Sequence, residues 1–124
     1  MSEVYLHQEL TGSIIGAAID VHRALSSGYL ELVYEKALCL ELAARGLAYQ
    51  EQVPFVVHYR GQPGGEYRAD IIVEGKVLVE VKAAPYIADA HRAQVLNYLA
   101  TTSLKIGLIL NFGTGKLGKE RLIR

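Results

Sequence analysis

Apolar positions along this chain follow a helical period first and a strand period afterwards. Ile14, Ile15, Ala18, Ile19, Val21 and Leu25 fall on one helical face, which predicts a helix capped by Thr11 and Ser13 and stopped by Ser26-Ser27-Gly28. Leu32, Val33, Ala37, Leu38, Leu40 and Leu42 mark a second helix over residues 29–44, with Arg45-Gly46 as a basic last turn and glycine stop. Residues 49–60 are rich in β-formers. The run Gly61-Gln62-Pro63-Gly64-Gly65 reads as the turn of a hairpin whose second strand covers residues 66–73. Glu74-Gly75-Lys76 leads into a third strand over residues 77–82. Val95, Leu96 and Leu99 stripe a third helix over residues 88–101, with Asp89 near its positive end. The almost wholly apolar run 104–112, broken by Lys105 and Asn111, suits a central strand covered on both faces, and a short strand over 117–123 follows a glycine turn.

The predicted order is ααβββαββ. A helix between the third and fourth strands permits a right-handed parallel crossover, so the expected fold is α/β, a mixed central β-sheet flanked by helices. At 124 residues the chain has room for one domain over residues 1–124, and none for a second, separate recognition domain. Target selectivity is therefore expected to come from loops, from a homodimer or from a protein partner.

Thirteen basic and thirteen acidic residues cancel, which removes the bulk positive field of a generic nucleic-acid coat. The charge is uneven. Residues 1–52 hold seven acids and three bases, whereas residues 105–124 hold five bases and Glu120 alone. That basic end has two readings, a phosphate contact or an edge strand kept soluble by its lysines. Cys39 is the single cysteine, which excludes an intramolecular disulfide and a four-cysteine metal or cluster site within one chain. The N-terminal residues carry no signal-peptide pattern and no apolar stretch nears membrane-spanning length, so a cytoplasmic protein without membrane contact is expected.

Asp70, Glu80 and Lys82 change this plain picture. Alternation puts Glu80 and Lys82 on one face of the third strand and Val81 on the other, and unpaired charges among such apolar neighbours are costly. A divalent cation with a phosphate substrate would compensate them, which points to metal-dependent phosphodiester hydrolysis. Asp70, Glu80 and the Val81 carbonyl are suitable oxygen donors for Mg2+ or Mn2+. Lys82 is placed to orient or deprotonate water and to stabilise developing charge. The geometry carries a condition. Only a three-residue loop at Glu74-Gly75-Lys76, or a bulge, sets Asp70 opposite Glu80, with Val73 facing Val77.

Gln94, Tyr98 and His91 share a face of the following helix. Gln94 and Tyr98 are either an ordinary wet face or supports for water, phosphate and Lys82; His91 is either a phosphate contact or a surface histidine. Glu31 and Tyr34 share a face of the second helix, where Glu31 also suits the helix dipole. Glu35 reads as an ordinary surface residue.

Gly28-x-x-Glu31-x-x-Tyr34 resembles the signature of the GxxExxY protein family, and residues 11–124 are similar to that family throughout. The family is placed in the PD-(D/E)XK nuclease superfamily. The resemblance implies a restriction-endonuclease-like core, with Asp70 as the first motif acid and Glu80-Val81-Lys82 as the (D/E)-x-K element. It further implies Glu31 as a first-helix acid acting as an additional, water-mediated metal ligand. Gln94-x-x-x-Tyr98 is similar to the Gln-x-x-x-Tyr motif of RecB-type nucleases. Ala69 stands where many members have proline. The expected activity is a Mg2+- or Mn2+-dependent nuclease acting on DNA, with Asp70, Glu80, Lys82, Gln94 and Tyr98 as its catalytic set. Gln94, Tyr98, His91 and Tyr34 are expected on the substrate. A non-catalytic accessory or nucleic-acid-binding module acting with a partner is the alternative.

Overall fold

The computed structural model describes residues 6–124. Its elements run α1 (Gln8–Leu25), α2 (Glu31–Ala44), β1 (Tyr49–Tyr59), β2 (Gln62–Val73), β3 (Val77–Lys82), α3 (Asp89–Thr102), β4 (Ile106–Asn111) and β5 (Gly118–Ile123). The sheet has the order β1-β2-β3-β4-β5. β3 and β4 are parallel and every other neighbouring pair is antiparallel, so the ααβββαββ order and mixed sheet agree with the sequence reading. α1 and α2 cover one face, burying Ile14, Ala17, Leu38 and Leu42 against Ile71, Val79 and Leu108. α3 covers the other, burying Val95 and Leu99 against Leu78 and Ile109. Gly107 lets α3 approach closely, because a Cβ there would stand 2.6 Å from Val95 Cγ1.

Three local expectations fail for physical reasons. α1 begins at Gln8, upstream of the expected caps, and the Thr11 hydroxyl donates to the Gln8 carbonyl at 3.0 Å from inside the helix. Residues 62–65 lie in β2 and are not the hairpin turn. The turn is instead Arg60-Gly61, both with positive φ (53° and 77°), which joins Tyr59 directly to Gln62. A register shift at Val57/His58 then accommodates Pro63 in the strand. Thirdly, Glu35 is 4% exposed and so is no surface residue. The second helix does end as the sequence suggests: Leu47 N–H bonds the Leu42 carbonyl and Gly46 N–H the Ala43 carbonyl, with Gly46 at φ 75°.

The β1–β2 ribbon changes sides partway along. Near its root Tyr49, Ile71 and Val73 pack with the α1/α2 core, whereas farther out Val53, Phe55 and Ala69 pack with α3. A regular strand keeps alternate residues on one face. The exchange occurs where Glu51 pairs with Ile71 and Val53 with Ala69, leaving Gln52 and Asp70 between them. Gln52 has φ 51° there. Among the described residues no helix is long and apolar enough to cross a membrane.

Candidate active site

Glu74, Gly75 and Lys76 form a three-residue loop, with Val73 paired to Val77 and Ile71 to Val79. The register that the sequence required for Asp70 and Glu80 to meet is therefore present. Asp70 Oδ2 accepts the Val81 N–H at 2.8 Å, and Glu80 Oε2 accepts the Asp70 N–H at 3.3 Å. Glu80 is 3% exposed while Asp70 is half-buried. Burial, then the hydrogen bond and negative charge of Asp70, push Glu80 up to about 9, with Lys82 opposing the rise. Like charges placed so close repel, which is part of what raises Glu80.

Lys82 points to the α3 face. Its ammonium donates to Gln94 Oε1 at 2.9 Å, and Gln94 Nε2 donates to the Tyr98 hydroxyl at 3.0 Å. A polar chain thus runs from β3 along one side of α3, over residues four apart. Burial raises the Tyr98 phenol above its ordinary value, so it stays a neutral donor and acceptor. Phe55 meets its ring edge-on, with centroids 4.8 Å apart.

The other expected site residues lie differently. Glu31 is exposed, and its Oε2 accepts the Ala83 N–H at 3.3 Å, just beyond Lys82. Among the described residues no group of three His, Cys, Asp or Glu side chains is gathered closely enough to hold a metal, so Glu31 does not converge with Asp70 and Glu80. Val81 presents its N–H to Asp70. His91 sits in the first turn of α3, where its Nδ1 accepts the Ala88 N–H at 3.0 Å, a helix-capping contact. Tyr34 corrects the sequence reading: it is fully buried and stacked on Phe112 at 4.6 Å and 13°. Its hydroxyl donates to the Ser26 carbonyl at 2.5 Å and accepts the Tyr29 N–H at 3.2 Å. It braces the start of α2 and offers no surface to a substrate.

Three residues that the sequence did not single out support the site. Glu35 receives both of its bonds from Gln52 Nε2, at 2.9 and 3.0 Å, and burial is the main cause that pushes it up to about 7, with Asp70 among the charges that raise it further. Gln52 is the residue left opposite Asp70 where the ribbon changes sides. Asn111 pairs with Lys82 across β3 and β4 and is 1% exposed. Its Oδ1 accepts from Ala84 N at 2.9 Å and Gly113 N at 3.1 Å, and its Nδ2 donates to the Ala84 carbonyl at 3.0 Å. It thereby fixes the backbone that follows Lys82. The available signals were the spacing of Glu35 four after Glu31, and Asn111 as the one amide in an apolar run.

A family model for the PD-(D/E)XK nuclease superfamily matches residues 8–124. Among solved structures, the crystal structure of SSO0001 is similar in fold, with a TM-score of 0.59 and 17% identity. The match covers 74% of this chain and 48% of that one, so the chain spans about half the length of that relative. Among curated proteins nothing matches the sequence.

Proposed function

The chain belongs to the PD-(D/E)XK nuclease superfamily, and from that premise we propose that it is a divalent-metal-dependent nuclease hydrolysing phosphodiester bonds in DNA. The observation that carries this is the convergence of Asp70 and Glu80 from neighbouring strands, with Lys82 one alternation away and tied to Gln94. The donor set fits a hard cation. Glu80, buried beside Asp70 and raised to about 9, is the kind of carboxylate that a bound cation would return to its charged form, and oxygen donors suit Mg2+ or Mn2+. Asp70, Glu80 and the Val81 carbonyl would hold it, with Glu31 as a more distant acid. When bound, the cation supplies an acidified water and charge stabilisation at the phosphate.

This chain's own residues supply the rest. Lys82 offers an ammonium beside the carboxylates to a phosphate oxygen or to the attacking water. Gln94 fixes that ammonium by accepting one of its protons, and Tyr98 fixes Gln94 in turn. The Gly28-x-x-Glu31-x-x-Tyr34 and Gln94-x-x-x-Tyr98 patterns support placing the chain in the GxxExxY group with a RecB-type site.

Asp70→Asn and Glu80→Gln each remove Mn2+-dependent cleavage of DNA oligonucleotides while the circular dichroism of the fold persists. Wild-type protein that cuts no single-stranded, double-stranded or branched DNA with either metal overturns the proposal. Calorimetry showing no heat of Mn2+ binding would favour the non-catalytic accessory module instead.

A further inference from the structure

A groove of about 770 Å³ opens between the outer β1–β2 ribbon and α3, directly beside Gln94 and Tyr98. One wall is aromatic. Tyr59 and Tyr67 line it from the ribbon, 75% and 49% exposed, and Tyr98 lines it from α3. Tyr67 is held in place by Phe55, at 6.1 Å and 26°, and by Tyr98, at 5.8 Å and 51°. The α3 wall is made of small and neutral residues such as Ala93 and Asn97, and among the described residues no charged side chain lines the groove.

We propose that this groove takes the unpaired bases of a single-stranded nucleic acid, so that the nuclease proposed above acts on single strands or frayed ends. The inference rests on that reading of Asp70, Glu80 and Lys82. Its own support is the continuity of groove and site: Gln94 lines the groove and also accepts the Lys82 ammonium at 2.9 Å. A strand whose bases lie along the groove carries its phosphates past Lys82. Neutral aromatic walls suit bases and not phosphates, since every base has a flat face to stack on tyrosine. An intact duplex hides those faces. The chain has a formal net charge of zero, so there is no bulk positive field to hold a duplex by its backbone. Stacking supplies affinity that needs no such field, and the exposed amide of Asn97 can meet base edges of any sequence.

The test is fluorescence anisotropy in EDTA, which separates binding from cleavage, with three fluorescein-labelled 20-mers: a mixed-sequence single strand, an abasic strand of equal length and a blunt duplex. The single strand is expected to bind most tightly. Tyr59→Ala and Tyr67→Ala each weaken it roughly tenfold, Tyr59→Phe and Tyr67→Phe retain it, and the abasic strand binds as weakly as the alanine variants. Tyr59 is exposed enough that its removal leaves the fold untouched, which keeps the test decisive if the Tyr67 variant fails to fold. Equal affinity for the abasic and normal strands, or for wild type and Tyr59→Ala, overturns the proposal. So does a loss of self-association in the alanine variants without loss of single-strand binding, which would mark the groove as a protein contact. Base-dependent binding without cleavage in any metal leaves the groove standing and removes the nuclease reading. Undiminished cleavage by the double alanine variant does the reverse.

Discussion

Asp70 and Glu80 are locked reciprocally: each carboxylate accepts a backbone N–H from the strand that carries the other, Glu80 from Asp70 at 3.3 Å and Asp70 from Val81 at 2.8 Å. Their positions are therefore set by the sheet and not by flexible side-chain choice. The site proposed on them would thus be organised before any substrate arrives.

The first consequence is a pH dependence. Burial and neighbouring acids hold Glu80 near 9 and Glu35 near 7, against an ordinary 4.5. The folded chain keeps protons that the unfolded chain releases above that value, so stability falls as pH rises. The Glu35 contribution is complete by about 7 and that of Glu80 by about 9. Melting temperature in EDTA should decline from pH 5 to pH 9. Glu80→Gln should flatten the upper half of that decline, and magnesium should raise the melting temperature at pH 8 in wild type only. Equal slopes in wild type and Glu80→Gln contradict the arrangement.

Lys82 and Gln94 act as a unit in the proposed hydrolysis. Lys82→Met should lower the cleavage rate roughly a hundredfold or more. Gln94→Leu, which removes the acceptor that aims the ammonium, should cost roughly tenfold in kcat with unfolding free energy changed by less than about 1 kcal/mol. Single-turnover kinetics and urea denaturation separate the two. A Gln94→Leu protein as fast as wild type would show that the amide positions nothing.

Tyr34→Phe tests the structural reading of that residue. The change strips the Ser26 carbonyl and the Tyr29 N–H of their partner, at a cost of about 1–3 kcal/mol in unfolding free energy. Cleavage per folded molecule should be unaltered at 25 °C. Lost cleavage with full stability would return Tyr34 to the substrate.

Asn111→Ala should destabilise more, by about 3 kcal/mol, since it leaves the Ala84 N–H and carbonyl and the Gly113 N–H without the amide. Asn111→Asp keeps the acceptor and should fall between the two. Chemical denaturation midpoints give the order, and equal midpoints for wild type and Asn111→Ala would remove the clamp from the account.

Much of this could be read along the chain because it depends on neighbours in sequence. The helical stripes, the three-residue loop and the pairing of Val73 with Val77 need only local periodicity and turn geometry. The failures are long-range. Glu35 is buried because Gln52, on another element, satisfies both of its oxygens from a backbone with positive φ. Nothing in the helical pattern shows that partner. Gly61 to Gly65 looked like one turn because composition marks where a chain can bend; two adjacent positive-φ residues, Arg60 and Gly61, took the turn and left the rest free to pair. Tyr34 lies on the face expected of a site residue, but its ring found Phe112, seventy-eight positions away.

The exchange of faces at Gln52 and Asp70 gives the ribbon a mechanical character. Its root is anchored in one helical layer and its middle, at Val53, Phe55 and Ala69, in the other, so a single ribbon stitches the two layers together across the sheet. The crossing lies between these two anchorages, where Gln52 takes a positive φ. That point carries Asp70.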